Sequence, residues 1–191
     1  MTKEVLRQIE RLPESQADAV LESFGSGRAG RIRKAIGVSW IDGLDHLDLL
    51  EALGQHLPEP AIRSLFERCY LEGFSSAGLV KGFIDAALRL WSANPLTLAK
   101  ALPRAWDMLT CEAGHFRPPT LLGPEHLQME IYDLNVPSLE RTAWLTGFEG
   151  TFEGFMTQTR CVGEARVRDL DPTQRTVSYE LRWELGSGAK S

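Results

Sequence analysis

The apolar residues of this chain change their period late in the sequence, and that change limits the possible folds more than any single motif does. Up to about residue 110 they recur at spacings of three and four, as on amphipathic helices. In TKEVLRQIERL, Val5, Ile9 and Leu12 share a face, and Pro13 opens a second segment carrying Val20, Leu21 and Phe24. Leu44, Leu47, Leu50, Leu53 and Leu57 mark a third helix, with Asp42 or Asp45 as its cap. Ile62, Leu65, Phe66, Cys69 and Tyr70 form one further face, and Leu79, Phe83, Ile84, Ala87 and Trp91 another, read as two antiparallel helices joined near Ser75 and Ser76. Asn94 before Pro95 starts the next helix, which Pro103 is expected to break before it continues through Trp106 to Leu109.

From Leu127 the period is two. Leu127, Met129 and Ile131 alternate with Gln128, Glu130 and Tyr132, as in a strand with one buried face. One helix-spaced segment, 138 to 157, intervenes. Then Cys161, Gly163, Ala165 and Val167 alternate with Glu164, Arg166 and Arg168, and Val177, Tyr179, Leu181, Trp183 and Leu185 alternate with Ser178, Glu180, Arg182 and Glu184. The turn DLDPTQR between these two runs makes them an antiparallel hairpin. The implied class is α+β: a helical N-terminal portion with a small antiparallel sheet built from a strand, a long helix and a C-terminal hairpin. Residues 1–34 read as an N-terminal helical extension and a Gly/Arg linker, 35–185 as a single α+β domain, and 186–191 as a disordered tail.

Charge narrows the function. A net charge of -5 argues against a general nucleic-acid binder, which needs a basic face for phosphate. No stretch approaches the roughly 18 uninterrupted apolar residues of a membrane span, and the charged start MTKEVLRQIERLPES lacks the apolar core of a signal peptide. Three widely separated cysteines, Cys69, Cys111 and Cys161, fit reduced thiols better than a disulfide framework. The expected location is the cytoplasm.

The intervening helix carries the main candidate site. In WLTGFEGTFEGFM, Trp144, Phe148, Phe152 and Phe155 fall on one side of the helix. Gly147, Gly150 and Gly154 form a second stripe beside them, and Glu149 and Glu153 fall on the far side, expected to face solvent. Each glycine costs roughly 1 kcal/mol relative to alanine, so the stripe calls for a contact that offsets it. Packing against a helix, the sheet or a second copy of the chain is the commoner reason, and access for a flat or chain-like ligand is the other. Trp144, Gly147, Phe148, Gly150, Phe152 and Gly154 are therefore the candidate ligand-binding or interface residues.

Other groupings read as structural. GSGRAGRIRK lacks the ending of a phosphate-binding loop, so Arg28, Arg31, Arg33 and Lys34 belong to a solvated linker. Cys111, His115 and His126 lack the paired spacing of a zinc site, and no metal is expected. Asp42, Asp45, His46 and Asp48 read as caps and a solvated face, and Cys69 and Cys161 as inert core thiols. Arg166 and Arg168 opposite Glu180, Arg182 and Glu184 read as cross-strand ion pairing. No catalytic motif is present; GFSSAG has its serines and glycines at the wrong offsets for a nucleophile elbow.

Three stretches carry a family resemblance: GLVKGFIDAALRLWSANPLTLAKALPRAWDMLTCEAGHF, LNVPSLERTAWLTGFEGTFEGFM and the closing VSYELRW. They are similar to a large paralogous family of myxobacterial proteins of the DUF2378 type, over roughly residues 35 to 184. That layout in turn resembles haem-nitric-oxide-binding-like domains, vinyl-reductase-type sensor domains and the TRAPP-type tethering subunits. The resemblance implies an α+β fold that often dimerises and holds a small apolar ligand. The Tyr-x-Ser-x-Arg haem motif and the cysteine-rich metal site of vinyl-reductase-type domains are not found in the sequence, so the resemblance brings neither haem nor zinc, and no cofactor is expected. The expectation is a non-enzymatic ligand-sensing or signalling module for a small apolar molecule. The alternative is a protein-interaction or scaffold subunit that dimerises and binds no small molecule.

Overall fold

The computed structural model describes residues 2–35, 43–76, 94–110 and 113–186. Helices α1 (Thr2–Ile9), α2 (Glu14–Phe24), α3 (Ser26–Lys34), α4 (Gly43–His56), α5 (Glu59–Ser76) and α6 (Pro95–Leu109) come first. Strands β1 (His115–Phe116), β2 (Thr120–Gly123) and β3 (His126–Tyr132), a short α7 (Val136–Leu139), the long α8 (Thr142–Gln158) and the hairpin β4 (Cys161–Asp171) and β5 (Thr176–Leu185) follow. The architecture is α+β, helices first and an antiparallel sheet after.

β3 lies at the centre of the sheet, with β1 and β2 on one side and β5 on the other, and β4 forms the far edge beyond β5. Alternation sets the register: Leu127, Met129 and Ile131 are fully buried, and Met129 lies opposite Tyr179. At the hairpin turn Asp171 Oδ1 accepts from the backbone N–H groups of Thr173 and Gln174, both at 2.9 Å, so its side chain closes the turn. The ladder slips between Val167 and Asp169, and Arg168 is the extra residue of a bulge.

α8 lies between the sheet and α5, and α1 packs on the other side of α5. One apolar core runs through helices and sheet together. Among the described residues no helix is long and apolar enough to cross a membrane.

Several local expectations change. GSGRAGR is not a linker but part of α3, because Gly25, at φ 98°, ends α2 and lets the chain restart a helix at once. Gly27 and Gly30 face open space while Ala29 and Ile32 are buried, so a sequence that looks solvated has one apolar edge. Its arginines are paired: Arg28 with Asp48, Arg31 with Asp45 at 3.4 Å and Arg33 with Glu10 at 2.7 Å. α6 runs unbroken through Pro103, which forgoes one backbone hydrogen bond while Leu98 and Ala99 are anchored in the core. Its start is as read: Asn94 Oδ1 accepts from Thr97 N at 2.9 Å. The joint expected near Ser75 and Ser76 is not there, since α5 stays helical through both residues. The helix over Leu79 to Trp91, Asp42, Cys111 and the tail beyond 186 lie outside the described residues.

Candidate functional site

The glycine stripe of α8 lies against α5. A Cβ on Gly147 would meet the Phe66 ring at 3.1 Å, and one on Gly154 would meet the Tyr70 ring at 2.7 Å. At Gly150 the obstacle is backbone, the Arg63 carbonyl carbon at 2.8 Å, so the two helices approach main chain to main chain. Thr151 sits in this contact, its hydroxyl donating to Gly147 O at 2.9 Å. Tyr70 closes the far end by donating its hydroxyl to Gln158 Oε1 at 2.6 Å.

The aromatic stripe faces the sheet. Phe148 is the hub, with ring centroids of Trp144 at 4.6 Å, Trp106 at 5.5 Å, Tyr179 at 5.9 Å, and Phe116 and Phe152 each at 6.0 Å. Trp106 comes from α6 and Phe116 from β1, so the cluster ties two helices, α6 and α8, to the sheet. The Trp106 indole N–H donates to Gly114 O at 3.0 Å, which fixes the ring. Burial drives the Tyr179 hydroxyl pKa well above its ordinary value, and that hydroxyl reaches Leu145 O at 3.4 Å. Trp144, Phe148 and Phe152 are thus brought together, while Gly147, Gly150 and Gly154 lie on the other side of the helix under α5.

Glu149 and Glu153 do not face solvent as expected. Glu149 is buried, and both carboxylates sit in the seam between α8 and β4. Glu149 Oε1 accepts from Val167 N at 2.9 Å, and Glu153 Oε1 accepts from Ala165 N at 3.4 Å. Arg63 of α5 pairs with Glu149 and lies 3.8 Å from Glu153. Loss of water raises the Glu153 pKa, and the N–H of Ala165 and the nearby Arg63 and Arg166 oppose that rise. Helical periodicity alone assigned these residues to the outside, because it cannot foresee that β4 folds back alongside.

The structure can be compared with solved ones. It matches an H-NOX protein from K. algicida in its Fe(II) unliganded form, with a TM-score of 0.66, 10% identity and 98% of each chain covered. It also matches an H-NOX protein from S. oneidensis in the Fe(II) ligation state, with a TM-score of 0.66, 8% identity and 100% of each chain covered. An oxygen-binding H-NOX domain related to soluble guanylate cyclases gives 0.63 at 11% identity, over 98% of this chain and 95% of that one. The fold is therefore H-NOX-like over nearly the whole chain. No family model matches the sequence, and no curated protein does.

A haem needs an axial side chain within an apolar slot. All four histidines fall among the described residues, and each has another role or position. His46 Nδ1 bonds Thr2 Oγ1 at 3.1 Å, His115 pairs with Asp107 at 2.8 Å, His126 bonds Glu180, and His56 is exposed at the end of α4. α6 carries no histidine; Trp106 occupies its inner side. Burial pushes the Cys69 thiol up to about 12, which disfavours a thiolate ligand, and Cys161 Sγ bonds Thr159 O at 3.7 Å. The histidines and the described cysteines do not fit a haem. Among the described residues no group of three His, Cys, Asp or Glu side chains could hold a metal ion.

Proposed function

We propose that the chain is a non-enzymatic, cytoplasmic ligand-sensing or signalling module that takes a small apolar molecule and works without haem. The match to H-NOX structures over nearly the full chain, combined with an interior packed with the rings of Trp106, Trp144 and Phe148, supports this reading. Those neighbours are described as oxygen-binding or as holding Fe(II). Here the aromatic rings offer apolar contact and edge-to-face packing, the chemistry that holds a small uncharged molecule. The ligand contacts belong to the Trp144 and Phe148 end of α8, since α5 already covers Gly147, Gly150 and Gly154.

Native mass spectrometry of freshly purified protein, followed by a denaturing spectrum of the same sample, tests this. Extra mass that disappears on denaturation, with no haem absorption band, is the expected result. A clean protein mass would overturn the sensor reading and leave the interaction subunit, which the charged outer edge of β4 favours on separate grounds.

A further inference from the structure

Among the described residues no strand pairs with the outer edge of β4, which side chains mask instead. Ala165 N and Val167 N donate to Glu153 and Glu149, and Ala165 O accepts from Arg166 Nη1 at 2.8 Å. These backbone groups therefore point away from β5, toward the space a further strand would occupy. An unpaired edge is a template for strand addition, and proteins commonly blunt it with charge. The mask is fastened to the helical layer, because Arg63 of α5 holds Glu149.

We propose that this edge is a homodimerisation surface kept closed by Glu149 and Glu153, and that its occupant is β4 of a second copy, paired antiparallel about Ala165. The argument is register and charge. Pairing about Ala165 sets Glu164 opposite Arg166 of the partner subunit, and Arg166 opposite Glu164 of the partner subunit, on the exposed face. Opposite charges thus meet twice. A two-residue slip in either direction sets Glu164 or Arg166 against its own copy, which like-charge repulsion disfavours. In the favoured register Ala165 faces itself and Val167 faces Gly163, so the freed N–H groups gain partners. Arg166 is poised for the exchange: it now spans Glu153 and Glu164, at 3.2 Å each. This inference does not rest on the ligand reading.

The test is sedimentation velocity of the full chain over a concentration series. The Glu149→Ala, Glu153→Ala double variant is expected to form a reversible dimer at least about tenfold tighter than any formed by the unsubstituted chain. Adding Arg166→Glu should return it to monomer, and adding Glu164→Arg on top should restore the dimer with the charges exchanged. A folded double variant that stays monomeric overturns the proposal, as does a dimer indifferent to Arg166→Glu or open-ended aggregation. If circular dichroism shows the double variant unfolded, Glu153→Gln, which keeps the Arg63–Glu149 pair, takes its place. It should exchange the Ala165 amide faster and associate more tightly than the unsubstituted chain, and unchanged association overturns the proposal.

Discussion

The main chain of Arg63 occupies the space where Gly150 would carry a side chain: a Cβ on Gly150 would lie 2.8 Å from the Arg63 carbonyl carbon and 3.0 Å from its Cα. The same residue sends its guanidinium to Glu149, one position away on α8. Arg63 therefore joins α5 to α8 by backbone contact and to β4 through a carboxylate.

Gly150→Ala should reverse the usual effect of that substitution. In an open helix it stabilises by up to about 1 kcal/mol; here it should cost about 2–3 kcal/mol, because backbone cannot move aside as a side-chain tip can. Gly147→Ala should cost less, since the Phe66 ring at 3.1 Å needs to yield only a few tenths of an ångström. Guanidinium denaturation of both variants checks the order. A Gly150→Ala protein as stable as the parent would mean that α5 is not seated on the stripe.

Phe148→Ala should cost about 3–5 kcal/mol and reduce the near-ultraviolet circular dichroism, because it removes the ring that links Trp144, Trp106 and Tyr179. Trp106→Phe keeps an aromatic ring and loses the hydrogen bond to Gly114 O, at a cost of about 1 kcal/mol. Thermal melts separate the two. A loss below about 1 kcal/mol for Phe148→Ala would show the cluster to be peripheral.

Periodicity found β3, the hairpin and α8, because each sets its apolar side chains at the spacing of its element. The start of α6 was legible from Asn94 and Pro95 instead. It identified the glycine stripe as a contact surface yet could not name α5 as what covers it, since Phe66 and Tyr70 are 81 and 84 positions away in the chain. Glu149 and Glu153 were illegible for a related reason. A carboxylate that caps a strand edge has the same helical phase as one in water, and only the return of β4 distinguishes them. α3 was missed because its glycines obscured the two apolar residues that bury it. The short strands β1 and β2 are too brief to show a period at all.

Cys69 and Cys161 should be unreactive in the folded chain. Both are buried, and the Cys69 thiol, pushed up to about 12 by burial, holds almost no thiolate at neutral pH. In a Cys111→Ser background, a thiol-exchange reagent should label neither cysteine until denaturant is added. Rapid labelling of the native variant would place one of them outside the core.

His46 should make stability depend on pH. Removal from water lowers its pKa from 6.5 to about 4. As pH falls below about 6.5, the unfolded chain takes up a proton that the folded chain refuses until about 4, so stability is lost across that window and is fully present above it. Because the residue as a whole keeps some contact with solvent, the expected loss is about 1–2 kcal/mol, less than the full shift implies. His46→Gln keeps a partner for Thr2 Oγ1 and removes the titration. Carboxylates also titrate near the lower end of this range, so the measurement is the difference between parent and variant in urea denaturation at a series of pH values from 7 down to 4. The variant should lose less stability than the parent across the upper half of that range. Parallel curves would mean that the folded and unfolded chains protonate His46 alike.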